Sequence, residues 1–166
     1  MCIRSRYSLS QVDLKESLHP VIDHSRNKLA TKNISLHVRL GDQPLVIHAD
    51  PMRMHQLFFN LFENAFRYTD ANGHVLLSAE LLENHIKIEI SDSTPCVPQE
   101  DMEHIFQRFY RVERSRNRAS GGTGLGLSIC RNIVKAHNAS ITAKHSAAGG
   151  LTITILFPRN ISHALT

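Results

Sequence analysis

Two asparagines, Asn60 and Asn64, lie four residues apart in an apolar segment, which places both on one face if that segment is helical. Asparagine is a poor interior residue for a helix, because its side chain competes for backbone hydrogen bonds. Together with Arg67 the pair borders the apolar stripe of the segment, which indicates a polar cleft. A neutral amide oxygen suits a Mg²⁺ ion that also holds phosphates and water. The alternative is that each asparagine caps a loop or faces solvent.

A glycine-rich segment, GGTGLGL at 121–127, comes directly before a predicted helix. Glycine lets a backbone approach an anion closely, and the N-terminus of the following helix offers unpaired N–H groups and a positive dipole end. No Lys-Ser/Thr pair follows, so the segment is not a P-loop. A long loop precedes it where a dinucleotide fingerprint would have a strand. The segment predicts a phosphate site, although glycine-rich turns also occur without ligands.

Asp92 stands at the end of a predicted strand and is followed by Ser93, Thr94 and Pro95. A carboxylate at a strand end can accept a hydrogen bond from the amino group of adenine. An Asx turn would explain the same residue equally well. Asp92 is therefore a candidate adenine contact with a structural alternative.

The stretch 93–123 is rich in charge, and five of its arginines could bind phosphate oxygens in a bidentate manner. They are Arg108, Arg111, Arg114, Arg116 and Arg118. The alternative for most of them is a solvated, flexible loop, and we expect no nucleic-acid partner. Three aromatic residues among these charges, Phe106, Phe109 and Tyr110, are predicted to pin the loop to the body of the protein.

The elements that must position these residues follow from hydrophobic periodicity. Helices are predicted at 12–32, 51–67 and 125–137. Strands are predicted at 34–40, 45–48, 74–82, 85–91, 141–146 and 151–157. A short helix is predicted at about 100–109, inside the long loop. Helices followed by hairpins favour the α+β class, with one mostly antiparallel sheet covered by helices on one face.

Length and composition bound the class of protein. The chain has 166 residues, which is one domain at roughly 100–200 residues per domain. It is 42% hydrophobic and 20% charged, with a net charge of +4, so disordered, collagen-like and coiled-coil chains are excluded. Three cysteines are an odd and sparse number, which argues against a disulfide mini-protein and favours a reducing compartment. No apolar run approaches the roughly 20 residues of a membrane span, and the N-terminus lacks the apolar core of a signal peptide.

Four motifs in a fixed order identify a family. NLFENAFRYT (60–69), SDSTP (91–95), FQRFYR (106–111) and GGTGLGLSI (121–129) resemble the N, G1, F and G2 boxes of bacterial two-component sensor histidine kinases. The resemblance covers residues 9–158, and the segment 111–130 looks most like the envelope-stress sensor kinases of enteric bacteria. One such box would be weak evidence, whereas four in order are specific.

The resemblance implies the ATP-binding fold shared with gyrase, Hsp90 and MutL. This is a two-layer α/β sandwich (Bergerat fold) whose mixed, mostly antiparallel sheet is covered on one face by three helices. The implied boundaries are a linker remnant at 1–8, the catalytic ATP-binding domain at 9–158 with an ATP lid at about 93–121, and a C-terminal tail at 159–166.

The resemblance also implies roles for single residues. Asn64 matches the asparagine that binds Mg²⁺, Asn60 matches the first asparagine of the N box, and Arg111 is a candidate for the γ-phosphate. Hydrolysing relatives carry a glutamate base on this helix, and an asparagine cannot act as a base, which fits phosphotransfer better than hydrolysis. The implied ATP contacts are Arg67, Tyr68, Asp92, Thr94, Cys96, Phe106, Phe109, Arg116, Arg118, Gly122, Thr123, Gly124, Leu125 and Gly126.

Two positions depart from the family pattern. The G1 box is usually Asp-x-Gly-x-Gly, and here Thr94 and Cys96 replace the glycines, so we expect weaker nucleotide binding and an alkylatable thiol at the pocket mouth. Ala139 replaces a glycine after the third helix, where Asn138 can adopt the left-handed conformation, so we expect little effect.

None of the 11 histidines lies in the phosphoacceptor motif of the family. The implied partner is therefore a separate dimerisation and His-phosphoacceptor domain, with a response regulator as an indirect partner. We expect a monomeric fragment that does not autophosphorylate alone, from the cytoplasmic side of a homodimeric inner-membrane protein. The alternatives are an ATPase of the gyrase/Hsp90/MutL class, or a degenerate interaction module with weakened ATP binding.

Overall fold

Three helices and seven strands occur in the part of the chain that the computed structural model describes, residues 7–112 and 122–159. The helices are α1 (Leu14–Ala30), α2 (Pro51–Tyr68) and α3 (Gly126–Ala136). The strands are β1 (Ser10–Asp13), β2 (Ser35–Arg39), β3 (Val46–Ala49), β4 (His74–Leu81), β5 (His85–Ser93), β6 (Ser140–His145) and β7 (Gly149–Pro158). None of the described helices is both long and apolar enough to cross a membrane.

Five strands form the main sheet, in the order β2-β4-β5-β7-β6. Only the β2–β4 pair is parallel, and the other three neighbouring pairs are antiparallel. This confirms the α+β class, the mixed sheet and the two predicted hairpins β4–β5 and β6–β7.

The pairing predicted at the start of the chain is wrong in two respects. The first strand was predicted at 34–40 and a helix from residue 12, yet β1 forms at Ser10–Asp13 and pairs antiparallel with β3 in a separate two-stranded sheet. Strands β2 and β3 are therefore not a hairpin, because β2 pairs with β4. The amide of Leu14 donates to the carbonyl of Leu45 at 3.0 Å, and this long-range contact has no local signal in the sequence.

Aspartates set the beginnings of α1 and α2. Asp13 caps α1 by accepting from the amide of Lys15 at 3.0 Å, and the same oxygen accepts from the amide of Leu45 at 3.1 Å. Asp50 caps α2 by accepting from the amide of Arg53 at 3.2 Å, and Pro51 occupies the first helical position. The start of α2 is therefore where the sequence predicted it.

The buried face of α2 carries the predicted apolar stripe. Its buried residues are Met54, Leu57, Phe58, Leu61, Phe62 and Ala65. They belong to one core cluster that also includes residues of α1, α3 and the main sheet. Because one face of α2 is fixed in this core, the adjoining polar face is held in a constant position.

The predicted short helix at about 100–109 does not form. A single 3₁₀ turn, Gln99–Asp101, is followed by irregular turns. Phe106 is buried in the core, as predicted, but Phe109 is 72% exposed and does not pin the loop. Phe109 has a left-handed φ of 62°, and its amide donates to the carbonyl of Gly124 at 3.0 Å, so its backbone makes the attachment.

Some predictions lie outside the described residues. They concern residues 1–6, 113–121 and 160–166, and they include Arg114, Arg116 and Arg118.

Candidate functional site

One face of α2 forms a wall of a cavity of about 720 Å³. The other walls are the end of β5, the segments 95–97 and 110–112, and the start of α3. Eleven of the predicted site residues line this cavity: Asn60, Asn64, Arg67, Tyr68, Asp92, Cys96, Arg111, Thr123, Gly124, Leu125 and Gly126. The structure therefore brings residues of all four sequence motifs to one place.

The α2 wall combines two amides with one paired carboxylate. Asn60 Nδ2 is buried and has no hydrogen-bond partner among the described residues. Glu63 lines the same wall, but its two oxygens accept from Lys28 Nζ at 2.7 and 2.8 Å. Asn60 and Asn64 therefore offer neutral amide oxygens on this wall that could bind a cation. The amide nitrogen of Asn60 also has a hydrogen that no described residue accepts.

Asp92 carries a carboxyl group into the interior at the end of β5. The residue is 8% exposed, and its Oδ1 accepts from the amide of Leu151 at 2.7 Å. Burial raises the pKa of Asp92 to about 6, and the hydrogen bond from Leu151 partly opposes that shift. A Cβ on Gly150 would collide with Asp92 Oδ1 and with two backbone oxygens, so the carboxyl sits in space that only glycine leaves open.

The glycine segment, residues 122–126, leads into α3, whose first residue is Gly126. Gly124 has a φ of +72°, and a Cβ there would lie 2.9 Å from the Cα of Phe109. Leu125, the residue before α3, offers no side chain that could cap the helix. The first amides of α3 thus lack a side-chain partner from the capping position, beside a cavity that Leu125, Gly126 and Leu127 line.

Four predicted contacts are not on the cavity wall. The backbone carbonyl of Thr94 accepts from the amide of Asp70 at 3.0 Å, and the Thr94 side chain is exposed. Phe106 is buried in the core and Phe109 projects into solvent. Gly122 lies against the Arg67 side chain, beside the cavity.

Several lining residues were not predicted as site residues from the sequence, although Tyr110 was predicted to pin the loop. They are Lys32, Phe59, Glu63, Pro95, Val97, Ile105, Tyr110, Val112, Leu127, Ile129 and Leu151. Glu63 could have been predicted as a site residue, because it lies between the two asparagines in the sequence. Lys32 could not, because it follows α1 and reaches the cavity only through the packing of α1 against α2.

Metal binding by protein groups alone is not supported in the described residues. No three His, Cys, Asp or Glu side chains cluster there. The amide oxygens of Asn60 and Asn64 fit a Mg²⁺ ion that takes most of its ligands from phosphate and water, because Mg²⁺ prefers oxygen and keeps several waters.

A family model and a sequence relative agree on the kind of protein. The model of the histidine kinase-, DNA gyrase B- and HSP90-like ATPases matches residues 49–161. The signal transduction histidine-protein kinase BaeS of Escherichia coli K12 is 43% identical over 152 residues, which are 92% of this chain and 32% of BaeS. The chain thus spans about a third of the length of this relative.

Solved structures agree with the sequence comparison. The nucleotide-free catalytic domain of the histidine kinase ThkA superposes with a TM-score of 0.81 at 27% identity, covering 92% of this chain and 96% of that domain. Full-length ShkA in complex with AMPPNP superposes with a TM-score of 0.77 at 26% identity, covering 92% of this chain and 31% of ShkA. This chain belongs to the histidine kinase-, DNA gyrase B- and HSP90-like ATPase family, as a catalytic domain of the sensor histidine kinase type.

Proposed function

We propose that the cavity binds Mg-ATP and that the domain presents the γ-phosphate to a histidine on a separate domain. The observation that carries this proposal is the meeting of an asparagine pair, a buried aspartate and an uncapped helix start around one cavity. The structural similarity to ShkA, which was solved with the ATP analogue AMPPNP, supports a nucleotide as the ligand.

The adenine end of the proposed site is the region of Asp92. Its carboxylate accepts hydrogen bonds and can take one from the adenine amino group. Val97, Ile105 and Leu151 give the cavity apolar walls suited to a flat base.

The phosphate end is the region of Asn64 and the glycine segment. Asn64 would hold Mg²⁺ through its amide oxygen, with Asn60 beside it. A bound Mg²⁺ neutralises the phosphate charge that develops during transfer. The N–H groups at the start of α3 can donate to phosphate oxygens, and Arg111 and Arg67 add positive charge along the cavity.

Phosphotransfer is favoured over hydrolysis by the residues of α2. Asn60 cannot remove a proton from water, and Glu63 is engaged by Lys28. An ATPase activity remains the second candidate, because Glu63 does line the cavity. Steady ATP turnover by the isolated chain would favour that candidate.

The altered G1 box does not fill the cavity. Thr94 and Cys96 stand where the family pattern has glycine, yet the cavity keeps a volume of about 720 Å³. This volume supports nucleotide binding over the alternative of a degenerate interaction module.

The partners proposed for the whole protein come from its relatives. Since the chain spans about a third of BaeS, the dimerisation and phosphoacceptor domain and the membrane anchor would belong to a longer parent protein. The response regulator would be a separate protein that this parent binds, as the histidine kinase ThkA binds the response regulator TrrA. In that parent the histidine phosphorylated by this domain would pass its phosphate to the regulator.

Replacement of Asn64 tests the proposed metal site. Asn64→Ala should abolish saturable, Mg-dependent binding of AMPPNP in a calorimetric titration, because the amide oxygen assigned to Mg²⁺ is removed. Asn84→Ala is the matched control, since Asn84 is exposed in the β4–β5 hairpin and should bind like the unmodified chain. Near-normal affinity in Asn64→Ala would refute the assignment.

A further inference from the structure

A lysine outside the four family motifs holds the C-terminal end of α2. Lys32 Nζ donates to the carbonyl oxygens of Phe66 at 2.6 Å, Thr69 at 3.4 Å and Arg67 at 3.5 Å. The same nitrogen lies 4.7 Å from the centre of the Phe66 ring. The last carbonyls of a helix have no partner within the helix, so Lys32 supplies a cap from a neighbouring element.

The turn that Lys32 holds leads directly into the cavity. It carries Arg67 and Tyr68, and Lys32 itself lines the same cavity. A Cβ built on Gly122 would lie 3.1 Å from Arg67 Cδ and Nη1, so the Arg67 side chain lies against the glycine segment. Direct contacts therefore connect Lys32, through the backbone of Arg67, to the segment proposed to hold phosphates.

The position of Lys32 is fixed by hydrogen bonds between the loops that follow α1 and α2. The amide of Asn72 donates to the carbonyl of Lys32 at 3.1 Å, and Asn33 Nδ2 donates to Asn72 Oδ1 at 2.7 Å. The register of the two helix ends is thus set independently of the lysine side chain.

The positive charge of Lys32 lies at the negative, C-terminal end of α2. The C-terminal end of a helix carries a partial negative charge of roughly half an elementary charge. The end of α2 would repel a polyphosphate in the neighbouring cavity, and an ammonium group on its carbonyls offsets that repulsion.

We propose that Lys32 is a positioning residue for the phosphate end of the nucleotide. It fixes the last turn of α2 so that Arg67 stays against the glycine segment, and it neutralises the negative end of the helix. The proposal rests on the proposed function, namely nucleotide binding in this cavity. A merely structural lysine would weaken all adenine nucleotides equally, whereas a positioning lysine weakens them more as the number of phosphates increases.

The test compares Lys32→Met with a matched lysine of α1. Methionine keeps the apolar stem and removes the ammonium group. Lys15→Met is the control, because Lys15 Nζ also donates to a backbone carbonyl, that of Gly41 at 2.6 Å, but does not line the cavity. Each variant is titrated with AMPPNP, ADP and AMP in the presence of Mg²⁺, after circular dichroism has shown that it is folded.

Lys32→Met should lose about tenfold in affinity for AMPPNP, less for ADP, and less than about twofold for AMP. Lys32→Arg should restore AMPPNP binding to within about twofold, and Lys15→Met should match the unmodified chain. In an Arg67→Met background, Lys32→Met should cause a smaller phosphate-dependent loss than in the unmodified chain, because only the effect of its charge on the end of α2 remains. Should Lys32→Met fail to fold, Lys32→Gln, which still has an amide hydrogen to donate, should show the same dependence on phosphate number.

If Lys32→Met lost affinity equally for all three nucleotides, or lost none, the proposed role of Lys32 would be wrong. The proposed function would still stand in that case, provided that the unmodified chain binds AMPPNP. Failure of the unmodified chain to bind AMPPNP would overturn both.

Discussion

At the scale of single residues, Asp92 shows how the fold changes the chemistry of a side chain. Its position at a strand end was visible in the sequence, where an Asx turn explained it as well as a ligand contact did. In the structure Asp92 is 8% exposed, and its carboxyl accepts a hydrogen bond from the amide of Leu151. The sequence could supply the candidate but not its burial, because burial depends on β7 and on the absence of a Cβ at Gly150.

Titration of Asp92 should change the stability of the fold with pH in a defined direction. Because burial raises the pKa of Asp92 from its ordinary value of 3.8 to about 6, the folded chain binds more protons than the unfolded chain between those values. Stability from this group should therefore fall by roughly 3 kcal/mol as pH rises from about 4 through 6, and stay level above.

Denaturation across this pH range should show that loss in the unmodified chain and not in Asp92→Asn, which keeps an acceptor for Leu151 without the charge. Carbon NMR of the side-chain carboxyl should give a midpoint near 6, and AMPPNP should lower it if the adenine amino group donates to Asp92. A midpoint near 4 in the free protein would contradict the account.

At the scale of elements, the helices were easier to predict than the strand pairings. The start of α2 follows from Asp50 and Pro51, and its stripe of apolar residues gave its buried face directly. The partner of β3 is β1, which has only four residues and no periodic pattern, so its pairing depends on tertiary contacts. The sequence predicts a helix at about 100–109, whereas this part of the chain has one 3₁₀ turn and a hydrogen bond from the Phe109 amide to the carbonyl of Gly124, a contact with no local signal in the sequence.

Alanine substitutions at Gly150 in β7 and Gly126 in α3 should have different effects on the free energy of unfolding. In Gly150→Ala, the new Cβ would overlap Asp92 Oδ1, Asp92 O and Ser93 O, so we expect a loss of at least about 2 kcal/mol in unfolding free energy. Gly126→Ala is the matched control, because nothing lies within 4 Å of its Cβ and its φ is not positive. That variant should be unchanged or gain up to about 1 kcal/mol. Urea denaturation measures both, and equal effects would show that the close packing around Asp92 is not restrictive.

At the scale of the whole molecule, one core joins the helix layer to the main sheet and thereby holds the α2 wall in place. Phe58 on α2 is 1% exposed and Phe157 on β7 is fully buried. The family, the fold class and the two hairpins were accessible from sequence, because ordered motifs and periodicity record them locally. The place of Lys32 at the end of α2 was not, because it depends on how two helices pack.

Replacing a core phenylalanine and a loop phenylalanine should have very different effects on the free energy of unfolding. Phe58→Ala should lose about 3–5 kcal/mol of unfolding free energy, because it leaves a cavity in the core. Phe109→Ala should change it by less than about 0.5 kcal/mol, since its ring is 72% exposed. Guanidinium denaturation distinguishes the two, and a large loss in Phe109→Ala would restore the idea that its ring pins the loop.

The central claim is that the cavity binds Mg-ATP despite Thr94 and Cys96 in the G1 box. Calorimetric titration of the unmodified chain with AMPPNP, with and without Mg²⁺, tests it most directly. The account predicts saturable binding near one nucleotide per chain that depends on Mg²⁺. Absence of binding heat from a sample that circular dichroism shows to be folded would contradict it, and the G1 substitutions would then have removed nucleotide binding from this domain.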